Sequence, residues 1–192
     1  MGAASGILSA FGLAASAGLN AYIPLLIVAL IARFTDWITL SSPWEALSSW
    51  WVIAVLIILG VVEFFVDKIP AVNHANDLVQ TFIRPAAGAV LFAASTNVIT
   101  DVHPILAMIA GLLVAGSVHA VKSAAIRPVV TATTGGAGNV PVSIAEDVIA
   151  TGLSILAVVI PILVAAVIIL TTSLIIWLLW RRGRMIENSG DG

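Results

Sequence analysis

Long apolar runs alternate with short polar ones along the chain, and the run lengths are those of membrane helices. No charged residue lies between Ser5 and Ala32. A bilayer core of about 30 Å takes roughly 20 helical residues, so this run predicts a first membrane span over about 5–32. The polar connector "RFTDWITLSSPWEALSSWW" follows, and its Trp37, Trp44, Trp50 and Trp51 suit a membrane–water interface. Within it, Ser42, Pro43 and Glu45 read as the N-cap, first turn and capping-box partner of a new helix. A second span runs to about Val66, a third over about Ala86–Val98. Asp101 and His103 mark a turn, and Pro104 opens a fourth span ending near His119. Ser143 and Glu146 repeat the capping-box signature. From Ile144 to Trp180 the chain is apolar apart from Glu146, Asp147 and a few hydroxyls. One straight helix of that length would measure about 55 Å. It therefore either kinks at Pro161 and projects from the membrane or crosses twice.

Basic residues favour the second alternative. With the N-terminus inside and six crossings, Lys68, Arg84, Lys122, Arg127, Arg181, Arg182 and Arg184 are cytoplasmic and only Arg33 is outside. Five crossings divide them evenly, against the positive-inside rule. The pattern predicts an all-α polytopic inner-membrane protein. It has about six spans, or five with one long kinked C-terminal helix, and both termini are cytoplasmic. Residues 1–182 form one transmembrane domain and 183–192 a polar tail. "GLAASAGLNAYIPL" resembles "GLLVAGSVHAVKSA", and Glu45 and Glu146 each open the next helix, a pattern consistent with a weak 3+3 inverted repeat.

Composition narrows the classes. Of 192 residues, 60% are hydrophobic and 9% charged, against about 25% charged in soluble domains. Lipid is thus the solvent for most of the surface. A net charge of −2 argues against a nucleic-acid partner, and the absence of cysteine excludes thiolate metal sites. The N-terminal run lacks the basic start of a signal peptide, so it is expected to be retained. Gly6 stands where a myristoylation signal wants Ser or Thr.

The residues that carry chemistry are few. Asn20 lies near the middle of the first span, and Pro24 deprives its carbonyl of a helical donor. That is either a kinked packing contact or a polar ligand in a transport path. Glu63 follows "VIAVLIILGVV", where an acidic group is costly unless paired or wetted. Asp67 lies one turn on, so the two carboxylates share a face. A shared proton, a bound cation, or Lys68 or Arg84 would relieve their repulsion. The alternative is a structural ion-pair network at the interface. His74, Asp77 and His119 are metal-ligand types at weak spacing. Lys122 and Arg127, with Lys68 and Arg84, read as positive-inside anchors or as ligands for headgroups or an anionic substrate. "TATTGGAGNVPVS" lacks the Gly-Lys-Ser/Thr of a nucleotide loop. Its Thr133, Thr134, Gly135, Gly136 and Asn139 make a donor-rich turn before a helix N-terminus, either on the surface or re-entrant beside a cavity.

"GLNAYIPLL", "EFFVDKIPAVNHANDLVQTFIRPAAG" and "TATTGGAGNVPVSIAED", in this order before a long apolar helix, resemble domain-of-unknown-function family 4126, small bacterial multi-pass membrane proteins. The resemblance covers nearly the whole chain. Asp67-Lys68-Ile69-Pro70 and Thr133-Thr134-Gly135-Gly136 are its most specific parts. The family pattern has an Asp where Asn73 stands and one matching Asp77. A cation cage built on both would be weakened here. The resemblance implies a fold and a membrane location and leaves the mechanism open.

These readings lead to a small transporter or channel for a small solute or ion. Glu63, Asp67 and Asp77 would handle cations or protons, joined by Asn20, Lys68, Arg84 and the 133–139 turn. The rival is a non-transporting scaffold or accessory subunit of a larger membrane complex, in which the same groups satisfy one another. No nucleophile–base pair marks an enzyme, and no cofactor is expected. Gly2, Gly6, Ala10, Ala14 and Gly18 form a small-residue stripe that suits either self-association or close packing within one chain.

Overall fold

A computed structural model describes residues 3–40, 42–68, 70–96, 102–160, 167, 169–177 and 180; at 3, 4 and 70–75 it describes the backbone alone. Every regular element among the described residues is a helix, and none of these residues is in a strand. The helices are α1 (Ala3–Leu19), α2 (Tyr22–Phe34), α3 (Trp50–Val66), α4 (Pro70–Thr96), α5 (Pro104–Val121), α6 (Arg127–Thr134) and α7 (Asn139–Val159). A 3₁₀ turn, Trp44–Ser48, precedes α3, and a π turn, Lys122–Ile126, joins α5 to α6. Asn76–Thr96, Pro104–Thr134 and Asn139–Val159 are each long and apolar enough to cross a membrane.

The expected first span is broken. Only Asn20 and Ala21 separate α1 from α2. The Asn20 side-chain oxygen accepts from the backbone N–H of Tyr22 and of Ile23, both at 3.0 Å, so it caps the start of α2. Pro24 falls in that first turn, where its missing N–H costs nothing. Asp36, Trp37, Ile38 and Thr39 line a cavity of about 170 Å³ together with Gly6, Ser9 and Leu13. The end of α2 therefore returns to the level at which α1 begins. Residues 3–34 form a helical hairpin with Asn20 at its tip. Its legs measure about 25 and 20 Å by helical rise, both short of a 30 Å core.

α1 is the centre of the bundle and packs on α4, α5 and α7. Gly6, Ala10, Ala14 and Gly18 are buried there, so these members of the small-residue stripe serve contacts within the chain; Gly2 lies outside the described residues. The Ser9 hydroxyl donates to the Ala157 carbonyl at 2.6 Å and that of Ser16 to Ala150 at 2.8 Å. α1 and α7 are thus antiparallel. Leu19 meets Lys122, while Ala10 and Ala14 lie beside Ala107, so α1 and α5 run parallel. The two similar sequence segments sit on these parallel helices, which is not the relation of an inverted repeat. At the closest crossing, a Cβ added to Gly88 would fall 2.7 Å from the Gly111 carbonyl oxygen. Glycine here lets the α4 and α5 backbones touch.

Two capping-box readings are also corrected. Helix α3 starts at Trp50 and is capped by Ser49, which accepts from the Val52 N–H at 3.4 Å. Ser143 and Glu146 lie inside α7, which starts earlier, at Asn139. Helix α7 ends at Val159, just before Pro161, and helical residues resume over 169–177; the join between them lies outside the described residues. Large apolar side chains on α3, α5 and α7, such as Ile58, Leu113 and Val148, are exposed, as a lipid-facing surface requires. Trp37, Trp50 and Trp51 are exposed near the open end of the hairpin, an interfacial position.

The hairpin makes a direct prediction, and the cysteine-free chain suits the test. Gly6→Cys with Ile38→Cys should cross-link within one chain through a short bis-maleimide. If α1 and α2 formed one continuous span, the two cysteines would sit on opposite membrane faces and no intramolecular product would form.

Candidate functional site

The hairpin tip creates an electrostatic demand. The last carbonyls of a helix lack intrahelical donors, and the C-terminal end carries about half a negative charge. In α1 these carbonyls are buried against other helices. Two cations meet them. Arg84 on α4 donates to the Gly18 carbonyl at 3.4 Å, and Lys122 donates to that of Leu19 at 3.1 Å.

The cations need partners of their own. Arg84 pairs with Glu63 of α3 at 2.9 Å and approaches Asp67 at 4.0 Å. Asp67 pairs with Arg127 at 2.9 Å, Arg127 with Glu146 at 3.0 Å, and Glu146 with Lys122 at 2.8 Å. The result is a line of alternating sign: Glu63, Arg84, Asp67, Arg127, Glu146, Lys122. It holds three carboxylates and three cations, each under a tenth exposed.

The π turn makes this line possible. In a regular α-helix, residues five apart point about 140° away from each other. Here the Arg127 N–H bonds to the Lys122 carbonyl, five residues back. The wider turn brings both cations to the inner face, where one carboxylate, Glu146, holds both.

Neutral groups complete the shell. Asn76 donates to Asp67 at 2.8 Å, and the Ser143 hydroxyl donates to it at 3.3 Å. His119 places Nδ1 3.5 Å from Arg84 and Nε2 3.2 Å from the Thr81 hydroxyl. Arginine has only donors, so Nδ1 accepts and Nε2 carries the hydrogen. Tyr22 hydrogen-bonds Gln80. At the near edge, Asn20 donates to Asp147 at 2.9 Å, and Lys68 lies 3.6 Å from the same carboxylate. Some acceptors stay open. Among the described residues, Glu63 Oε2, Glu146 Oε1, Gln80 Oε1 and Asp77 Oδ1 are buried with no hydrogen-bond partner.

The sequence candidates divide into two groups. Asn20, Glu63, Asp67, Lys68 and Arg84 come together, and Asp77 lies within electrostatic reach of Arg127. Thr133, Thr134 and Gly135 are exposed, and the 133–139 segment is a local turn between α6 and α7. Gly135 and Gly136 adopt positive φ, 62° and 91°, the left-handed conformation that ends a helix at glycine. Thr134 Oγ1 accepts from the Gly138 N–H at 2.9 Å, and Asn139 pairs with Thr131. The backbone that turns back among the helices belongs to residues 20–21 instead. The His74 side chain lies outside the described residues. Asp77 and His119 belong to no group of three metal-ligand side chains among the described residues.

Glu146, Asp147, Ser143, Tyr22 and Gln80 were not among the sequence candidates for the site, and Lys122 and Arg127 were named only as positive-inside anchors or ligands for an anionic group. For Glu146 the signal was the one that singled out Glu63, a carboxylate in an apolar run. For Lys122 and Arg127, spacing alone points the pair in different directions.

Asp67 gives the network a pH dependence. Burial acts to raise its pKa, but Arg127, then Lys122 and Arg84, and the Asn76 hydrogen bond outweigh it and leave the carboxyl below the ordinary Asp value. A depressed folded-state pKa contributes stability above the unfolded value, near 3.9. That contribution is lost as pH falls through the folded value. Thermal stability in detergent should therefore drop on acidification below about pH 4, and Asp67→Asn should flatten the drop. Arg127→Met should cost about 3–5 kcal/mol at neutral pH, the usual penalty for stranding buried charges. A loss below about 1 kcal/mol, typical of exposed pairs, would contradict the burial described.

No curated protein and no solved structure matches the chain. One family model does, over residues 7–181, and it is described as a domain of unknown function, DUF4126. Its match takes in the hairpin from residue 7 onward, the π turn and every member of the charge line. The chain belongs to the DUF4126 family.

Proposed function

We propose that this protein is a small transporter or channel for a small solute or ion, in which the buried carboxylates handle cations or protons. One observation carries the reading. The tip of a helical hairpin buried among the other helices meets a charge-balanced line whose carboxylates keep open acceptor oxygens, Glu63 Oε2 and Glu146 Oε1. Broken helices ending at membrane depth recur in transporters as ion and substrate sites. Ionisable groups there mark ion pathways and proton relays. A purely structural network would leave fewer buried acceptors open, because each costs about 1–3 kcal/mol. Glu63 is the residue on which the reading rests most.

The arrangement also favours an orientation. Lys68 and Arg127 lie toward one end of the bundle, while Arg33 lies at the other beside Trp50, at 4.4 Å from its ring. The positive-inside rule makes the Lys68 end cytoplasmic in a bacterial inner membrane. The hairpin then leaves the start of α1 outside, reversing the side assigned to the N-terminus from span counting. In intact cells, Ser5→Cys should react with an impermeant maleimide; labelling only after lysis would reverse the orientation.

Flux is measurable in proteoliposomes with an internal pH dye and an imposed potassium-diffusion potential. Wild-type protein should pass protons or a monovalent cation faster than empty liposomes. Glu63→Gln should cut that flux at least tenfold while remaining monodisperse. Wild-type vesicles no more permeable than empty ones to protons, sodium or potassium would refute ion handling. A stoichiometric partner in native membranes would then support the scaffold role.

A further inference from the structure

A second feature lies outside the charge line. Helices α2, α3 and α7 enclose an open groove of about 700 Å³. Its lining includes Leu26, Leu56, Gly60, Phe65, Val148 and Gly152. Polar lining comes from Asn20, Asp147 and Thr151, at the hairpin tip and on α7. The groove is apolar along its length and acidic at one end.

The acidic end already holds a cation. Lys68 Nζ lies 3.2 Å from the centre of the Phe64 ring, donates to the Phe64 carbonyl at 2.9 Å, and stands 3.6 Å from Asp147. An aromatic face with an adjacent carboxylate is the usual cradle for an ammonium group. The Lys68–Asp147 contact is looser than four of the five links of the charge line, at 2.8–3.0 Å, and tighter than the fifth, Arg84–Asp67 at 4.0 Å; both its side chains are 16% exposed. Asp147 Oδ1 accepts from Asn20, while Oδ2 has no hydrogen-bond partner among the described residues. Lysine is a flexible point charge on a four-carbon stem, so its headgroup can swing out to water at small cost.

We propose that this groove binds a lipophilic monovalent cation of the quaternary ammonium or phosphonium class, its charge against Asp147 and Phe64 and its apolar body along α2, α3 and α7, with Lys68 as the built-in competitor. Charge selects the occupant. A neutral lipid tail would fill the walls but leave the cradle to Lys68, and an anion would meet the Asp147 carboxylate. Binding requires no flux, so the proposal stands apart from transport.

The probe is radiolabelled tetraphenylphosphonium, measured by equilibrium dialysis against the full chain in micelles of a non-ionic maltoside detergent, which holds no ammonium headgroup. Tetraphenylborate, of the same shape and opposite charge, is the control. Wild-type protein should bind the phosphonium saturably, one per chain, and show no saturable borate binding. Asp147→Asn, which keeps an acceptor for Asn20, should weaken binding at least tenfold. Lys68→Ala should strengthen it several-fold by removing the competitor. A Cβ at Gly152 meets no atom within 4 Å, so Gly152→Leu should fold, fill the groove and abolish binding; it decides the matter if Asp147→Asn does not fold. Saturable borate binding, or unchanged phosphonium affinity in Asp147→Asn or Gly152→Leu, overturns the proposal. So does weaker binding in Lys68→Ala, which would make Lys68 a ligand for an anionic or zwitterionic headgroup.

Discussion

The buried C-terminal end of α1 is the constraint on which the other features depend. A helix that stops among other helices presents carbonyls that neither water nor a further turn can satisfy. Arg84 and Lys122 answer that need at Gly18 and Leu19. Their charges then need compensation. Stranding a buried charge without its partner costs about 3–5 kcal/mol, so six stranded charges would cost on the order of 20–30 kcal/mol. That exceeds the net stability of most domains, about 5–15 kcal/mol. Alternation of sign along Glu63, Arg84, Asp67, Arg127, Glu146 and Lys122 removes the deficit. Helices α3, α4, α5, α6 and α7 are thereby tied to the tip of one hairpin.

The packing near α1 follows from the same requirement. Buried helix ends meet side-chain cations only if backbones approach closely. Gly18 lies against Ala115 and Val118, where an added Cβ would fall 2.6 Å from the Ala115 carbonyl oxygen. Ser9 and Ser16 bond directly to α7 carbonyls. The π turn gives up regular helix geometry to place Arg127 beside Glu146 as well as Asp67. The proposed handling of protons or ions would draw on this geometry, in which the charges are held by the scaffold and carboxylate oxygens stay open.

Much of this was legible in the sequence, and what was not has a physical cause. Glu63 and Asp67 stood out because a carboxylate beside an apolar run must be paired or wetted, and Arg84 was named among the groups that would relieve them. Asn20 and Pro24 signalled a broken helix, but a local signal does not say whether the chain bends by a few degrees or turns back; that depends on α4, α5 and α7 filling the space around the tip. Lys122 and Arg127 were legible as anchors or anion ligands, but not as one paired unit, because a π turn has no pattern of its own in hydrophobic periodicity. Glu146 looked like a helix cap because Ser143 stood three residues before it, whereas α7 starts earlier, at Asn139. The Gly135–Gly136 pair marked a real turn, and its chemistry is local because Thr131, Thr134 and Asn139 satisfy one another there.

The central claim is that the charges beneath the hairpin tip act as one coupled unit. A double-mutant cycle on Glu63 and Arg127 tests it, because among the described residues the two form no ion pair with each other and are joined through Arg84 and Asp67. Glu63→Gln, Arg127→Met and the double variant are compared by thermal unfolding in nanodiscs at neutral pH. A coupled line predicts an interaction energy above about 0.5 kcal/mol, with the double variant less damaged than the sum of the singles, because one charge of each sign is removed. Additivity within about 0.3–0.5 kcal/mol, the behaviour of independent sites, would contradict the account.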